Sequence, residues 1–450
     1  MSLEEKWKLF AEYSNLGFDP LRWLPDCFNE LRFEEIENIT NELKRSNLKF
    51  IIPSYYSYFH YPEKKDAEII RRVYKLDEEF RHEDLKTKKA VSILKFHKNI
   101  VYDDDDGALT EQVKKIANSF DTKIEVDKVS IIPTNGKENS QFILFDHILT
   151  HRGNKTGYTI VTNSNTQATD VTQPITSPIH LEIAFTEAIS LLNLLGCTKD
   201  IKLYPVYDAP NEQMLDEIRK NIESFTIKYN YTFEDYSSLK FGGMFFGSTA
   251  VGNTHKEIPN KYGLIEPGMQ ILVTEKMGIL TFLGLYIISN LDDSIREKIK
   301  NLGIDSNKII ELKDQAIKNL TEPKLSLGKS ISKFLPDFEK EFDPQSHILV
   351  THPISKKGIS SFYELAKLID KEVFIDQIPY ADNSIAKFLS REHLISNTGA
   401  STPETNMLIV SENLVPTLIE ELSKHKFNPL VIGKIGNAGN AKVSIRNGNR

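Results

Sequence analysis

One stretch constrains this chain more than any other: residues 179–195, bracketed by Ser177-Pro178 and Gly196, apolar nearly all round once past Glu182. Serine caps helix starts, proline is favoured at the first helical position, and glycine ends helices in the left-handed conformation. The stretch therefore reads as a helix with no face fit for water, and it has to be buried on several sides. Residues 140–146 (SQFILFD) read as a strand. A glycine-bearing turn at 153–157 leads to a second strand at 158–162, so the pair reads as a hairpin. After the helix comes a strand at 201–206, then a helix that Asn211 can cap, with Met214, Ile218, Ile222 and Phe225 down one face.

At 450 residues the chain is long for one core, and two or three compact units are expected. Hydrophobic residues at 40% supply enough apolar material to bury a sizeable core. A net charge of −7, with the basic residues spread along the chain, argues against nucleic acid or an anionic membrane as partner. Cys27 and Cys197, the two cysteines, can form neither a disulfide framework nor a four-thiolate metal site, and such sparse usage fits a reducing cytoplasm. Residues 1–8 are charged and do not resemble a signal peptide, and apolar stretches such as 183–195 are too short to span a bilayer. A soluble cytoplasmic protein is expected.

Three regions separate. Residues 1–88 read as a helical N-terminal extension, with helical spacing at 31–45 and 66–80 around an aromatic, proline-bearing segment at 50–62. That segment reads either as a binding platform or as a wall packed on a neighbouring domain. Residues 89–285 form a first α/β domain. Residues 286–450 form a second, passing through a lysine- and proline-bearing stretch at 322–347 that is expected to be partly mobile. The second domain then alternates strand 347–351, helix 359–369, strands 372–376 and 407–410, a helix at 414–424 capped by Ser411, and strands 430–435 and 442–445.

From the SQFILFD strand onward, several short motifs occur in a telling order. Phe246-Gly247-Ser248-Thr249-Ala250-Val251-Gly252 is followed by Gly268, Thr274 and Gly278 in EPGMQILVTEKMGIL. Thr351-His352-Pro353-Ile354 opens a turn that closes at Gly358, Thr402-Pro403-Glu404-Thr405-Asn406 precedes a strand, and Val431-Ile432-Gly433 lies near the end. Together these resemble the selenophosphate synthetases of the PurM-like (AIR synthase-related) ATP-binding superfamily. Their counterparts there are an F-G-x-A-V-T-G strand, a G-D-x-L-x-L-T-K-P-L-G segment closing the N-terminal domain, T-D-V-T-G-F-G-L, D-P-Q-T-S-G-G-L and a closing I-G strand. The likeness covers roughly 140–280 and 345–446. In physical terms, Gly268 suits a turn needing positive φ, and Gly278 lets backbone approach closely.

The resemblance implies a two-domain PurM-like fold whose N-terminal sheets pair in a homodimer, with ATP and Mg2+ in a cleft and transfer of a phosphoryl group to a small-molecule acceptor. It makes Asp146 a metal ligand, although the residue equally reads as a turn cap. Asn163 and Asn165 stand where the family's T-T-D-F aspartate falls; as neutral oxygen donors they would hold a metal weakly. Leu191 occupies the position of an aspartate in the buried helix, and hydrocarbon cannot ligate Mg2+. Asp235 is a further metal candidate. Lys137 would reach phosphates from its turn or stay solvated. The turn from Thr351 to Gly358 would line the same cleft, with His352 in place of the family's aspartate. The family's selenide-handling loop has no counterpart. Either the chain is an ATP-dependent phosphotransferase of this type, or its catalytic set has decayed and it binds a nucleotide or partner without turnover. A third branch is AIR synthetase-like or thiamine-monophosphate kinase-like.

Other constellations read as ordinary. Asp103, Asp104, Asp105 and Asp106 repel one another and lack EF-hand spacing, so a solvated loop is expected. His147 and His151 show no third zinc ligand. Cys197, just past Gly196, reads as a small buried residue. There is no P-loop and no G-x-S-x-G elbow.

Overall fold

The computed structural model describes residues 143–144, 148–151, 157–166, 173–235, 237, 242, 244–291, 293–355, 358–391, 398–439 and 442–446. The 1–88 extension, Lys137, Asp146, His147 and the aspartates at 103–106 lie outside the described residues. The described chain is a mixed α/β structure with two six-stranded sheets.

The first sheet is built from β1 (Ile143–Leu144), β2 (Ile148–His151), β3 (Tyr158–Thr166), β4 (Lys199–Asp208), β5 (Thr232–Phe233) and β6 (Phe245–Thr254), in the order β1-β2-β3-β6-β4-β5. All neighbours are antiparallel except β4 and β5. The expected hairpin is there but with a different partner. β3 pairs with β2, His151 opposite Thr159, and the described part of SQFILFD is the outer strand β1. Asp146 reads as a turn former and hides the second short strand just beyond it, where Ile148 and Thr150 are β-branched.

Helix α1 (Pro178–Leu194) is the buried helix. Proline at its first turn sets the start; Ser177 stands at the cap position, but its side chain makes no capping bond. Gly196 closes it at φ +66°. One flank of α1 lies on the sheet, where Thr162 Oγ1 donates to the Ala188 carbonyl at 2.7 Å. Gly252 of β6 is needed there, because a Cβ would stand 2.7 Å from Cys197 Sγ. Helix α2 (Glu212–Tyr229) covers α1 further out, with Phe225 against Phe185 at 4.9 Å between ring centroids. Asn211 caps α2 as expected, its side chain accepting the Met214 N–H at 3.0 Å. Asn211→Ala is expected to lower stability by about 0.5–2 kcal/mol; a urea midpoint equal to wild type would remove the cap from the account.

Helices α3 (Leu280–Leu291), α4 (Asp293–Lys300), α5 (Ser306–Thr321) and α6 (Leu325–Lys333) follow, and α5 and α6 pack on α1. The 322–347 stretch, expected to be partly loose, instead carries α6, because Leu327 and Ile331 recur at helical spacing and are buried.

The second sheet comprises β7 (Gln270–Val273), β8 (Val350–Pro353), β9 (Lys371–Ile375), β10 (Asn406–Val410), β11 (Leu430–Ala438) and β12 (Val443–Ile445), in the order β12-β9-β11-β7-β10-β8. The strand predicted to close the first domain is therefore an inner strand of the second sheet, and the change of sheet falls between Thr254 and Gln270. Helices α7 (Ser360–Ile369), α8 (Asn383–Arg391) and α9 (Val415–Lys424) complete this half. Alternate residues of one strand serve two cores: Leu408 and Val410 join the large core that contains α1, while Met407 and Ile409 face a smaller one containing Phe362 of α7. A sheet covered on both faces has continuously apolar strands, which is why 407–410 reads as an unbroken run.

Candidate functional site

Of the residues singled out from the sequence, Asn163, Asn165, Asp235, Thr351 and Gly358 are among those described. Asn163 and Asn165 lie on β3, in register with Thr249 and Gly247 of β6. Asp235 is exposed just past β5, accepting the Tyr207 hydroxyl at 2.6 Å and the Ser237 N–H at 2.9 Å. Arg219 Nε donates to the same Tyr207 oxygen at 3.3 Å. Burial, and then the bond to Asp235, push the Tyr207 phenol up to about 12. Asp235 therefore ties the chain beyond β5 to β4 and α2. Thr351 is buried, its hydroxyl donating to the Leu194 carbonyl of α1 at 2.8 Å. Gly358 takes φ +56° in the turn before α7, with its N–H on the Ile354 carbonyl at 2.8 Å.

Leu191 packs in the large core. One turn earlier the same helix carries Glu187, a buried carboxylate that accepts the Ser164 hydroxyl of β3 at 2.9 Å. Reading the helix as uniformly apolar overlooks this residue; its signal was an acid inside a stretch with no solvent face, where a charge needs a partner. Asp208, at the end of β4, was also overlooked. It is buried and accepts the N–H groups of Ala209 and Gly242, both at 2.9 Å. Cys197 is buried as expected, its thiol donating to the Asn253 carbonyl at 3.2 Å, and burial pushes that thiol up.

Among the described residues, polar groups also meet along a seam where α1 packs on the buried segment at 398–406. Ser190 Oγ donates to the Pro403 carbonyl at 2.7 Å, and Asn193 Nδ2 to the Lys324 carbonyl at 3.3 Å. Lys324, just ahead of α6, forms an ion pair with Glu404. The Asn406 N–H donates to Thr274 Oγ1 at 2.9 Å, and the Gly278 N–H to Ser401 Oγ at 2.8 Å. Loops usually run on the surface because their backbone polar groups need partners. This one is interior, and its backbone finds partners in its own Ser401 and Asn406 side chains and in Ser190 and Thr274 from neighbouring elements.

Glu187, Ser164 and Asp208 are oxygen ligands suited to a hard cation or to groups around a phosphate. Among the described residues, however, no group of three His, Cys, Asp or Glu side chains could hold a metal ion. No described helix is long and apolar enough to cross a membrane.

No family model matches the sequence, and no curated protein matches it. Solved structures do. Thiamine-monophosphate kinase from Stenotrophomonas maltophilia K279a is similar at 12% identity and a TM-score of 0.46, over 76% of this chain and 96% of that one. The hydrogenase maturation protein HypE gives 11% and 0.45, over 66% and 89%. Thiamine monophosphate kinase from Aquifex aeolicus gives 11% and 0.44, over 75% and 97%.

Proposed function

We propose that this chain is an ATP-dependent phosphotransferase related to the selenophosphate synthetases, cytoplasmic and homodimeric, passing a phosphoryl group from ATP to a small acceptor. The observation that carries the reading is the behaviour of its motifs in three dimensions. The Phe246–Gly252 stretch forms a buried strand beside β3, and Gly268 and Gly278 take φ of +92° and +81° on either side of a buried strand. These are the conformational demands for which glycine is suited at both positions. On this reading Asp146 is a metal ligand and Asp235 a second one. Lys137, Asn163 and Asn165 approach the phosphates, and Thr351 and Gly358 shape the turn beside the cleft. Bound Mg2+ would neutralise charge on the phosphates, which is most of what phosphoryl transfer requires. The described residues do not themselves make a Mg2+ cage: Glu187 is engaged by Ser164, Asp208 by two backbone N–H groups, and Leu191 offers hydrocarbon.

Leu191 favours a second reading, in which the protein binds a nucleotide or a partner without turnover. Calorimetric titration of the full chain with ATP, with and without Mg2+, separates the two when followed by assays of ADP, AMP and phosphate release with candidate acceptors. Mg2+-dependent binding with product release supports the enzyme. Metal-independent binding with no release selects the second reading, and no binding under either condition removes both. Asp146→Asn is expected to weaken Mg2+-dependent ATP binding about 10–100-fold, the worth of a charged contact of ~1.5–3 kcal/mol. An unchanged affinity takes Asp146 out of the site.

A further inference from the structure

Four carboxylates are buried among the described residues: Glu187, Asp208, Glu257 and Glu404. Three accept hydrogen bonds from neutral donors. Glu187 has the Ser164 hydroxyl, and Asp208 has the Ala209 and Gly242 N–H groups. Glu257 has the Tyr158 hydroxyl at 2.9 Å and the Glu339 N–H at 2.8 Å. Glu404 differs. One of its oxygens takes the Lys324 ammonium, and the other, Oε1, has no partner among the described residues. Thr402 Oγ1 and Asn406 Oδ1, two residues to either side, and Asn193 Oδ1 on α1 are buried without partners as well. The Pro403 carbonyl between them already receives both Ser190 Oγ and Asn406 Nδ2.

Three of these atoms, Glu404 Oε1, Asn406 Oδ1 and Asn193 Oδ1, can only accept, whereas the Thr402 hydroxyl can also donate. Buried acceptors left unmatched are costly, and either a cation or a proton would relieve them. A second cation would meet the Lys324 ammonium already on the same carboxylate. A proton on Glu404 meets no such repulsion; it gives Oε1 a hydrogen to donate and removes the need for a counter-charge.

We propose that Lys324 and Glu404 form a proton-sensitive latch across this seam. With Glu404 ionised, the pair ties the start of α6 to the turn at 402–406. Once Glu404 is protonated, Lys324, whose side chain is already 34% exposed, turns to solvent and the tie is released. The charged groups around Glu404 are Lys324, Glu275 beyond β7 and Glu322 at the end of α5. Burial raises the Glu404 carboxyl from its ordinary 4.5 to about 7; the Lys324 charge pulls it down, and Glu275 and Glu322 push it up. Because the folded value is raised, the stabilisation linked to this group is fully present below about 4.5 and is lost as pH rises towards about 7. Local closure of the latch follows the opposite course, since the ion pair forms as Glu404 ionises. The device stands independently of whether the chain binds ATP.

Hydrogen exchange of the full chain between pH 5.5 and 8.5, corrected for intrinsic rates and read on peptides spanning 324–333 and 401–406, tests it. Protection at the start of α6 should rise about 2–5-fold through a midpoint near 7, the worth of an ion pair with one partly exposed member. Glu404→Gln should abolish that midpoint, and Lys324→Met should move any residual transition upwards. A flat wild-type profile, or a Glu404→Gln profile with the wild-type midpoint, would overturn the latch. Should Glu404→Gln fail to fold, selective 13C labelling of glutamate carboxyls in wild-type protein decides: no resonance titrating near 7 rejects it.

Discussion

Phe185→Ala should lower the stability of the described structure by about 3–5 kcal/mol, a shift of at least a hundredfold in the folding equilibrium. Phe185 is fully buried on α1, with the Phe225 ring of α2 tilted against it at 55°. Its removal takes away the transfer free energy of a large ring and leaves a cavity that this site cannot easily collapse. The sheet, α2, α5 and α6 all press on α1, and none can shift without disturbing the rest. Ile227→Ala, on the outer side of α2 at 80% exposure, is the comparison and should stay within about 0.5 kcal/mol of wild type. Urea unfolding followed by far-ultraviolet circular dichroism reads both. If the two variants unfold together, α1 is not the interior element described above.

Gly278→Ala is the second large effect, with an expected loss of about 2–5 kcal/mol. Two costs add. A side chain at φ +81° costs roughly 1–2 kcal/mol. A Cβ at this position would stand 2.5 Å from the Thr398 carbonyl oxygen, an overlap that forces backbone movement at about 1–3 kcal/mol. Gly268 separates the terms: its φ is +92°, but no described residue other than its chain neighbours comes within 4 Å of where a Cβ would stand. Gly268→Ala should therefore show only the conformational cost. Equal losses for the two variants would mean that the 398–406 segment does not lie against Gly278.

The sequence disclosed what local chemistry determines. Pro178 and Gly196 bracket α1 because their backbone preferences act on neighbouring residues alone, and Asn211 caps α2 for the same reason. Pairing across sheets was harder. β2 was invisible because Asp146 looks like the end of a strand, and the place of β7 between β10 and β11 depends on residues far along the chain. Site residues divide in the same way. Thr351 could be singled out from a motif, but its bond to Leu194 joins a strand of the second sheet to a helix of the first half. Glu404 lies within the Thr402–Asn406 motif, which gives it no local mark. What distinguishes it is an environment assembled from α1, α6 and its own turn, and no spacing within the motif encodes that.

The strand order of the second sheet also bears on biosynthesis. Its inner strand at Gln270–Val273 must wait for partners at Asn406–Val410 and Leu430–Ala438, and β9 takes its outer neighbour from Val443–Ile445. While the ribosome translates the intervening stretch, Ile271, Leu272 and Val273 emerge with both edges of their backbone unpaired. Such pairings between distant residues are slow to form and leave nascent chains prone to aggregation. A nascent chain stalled before residue 406 should therefore need a chaperone's shelter, whereas β3 and β6 would by then already have met.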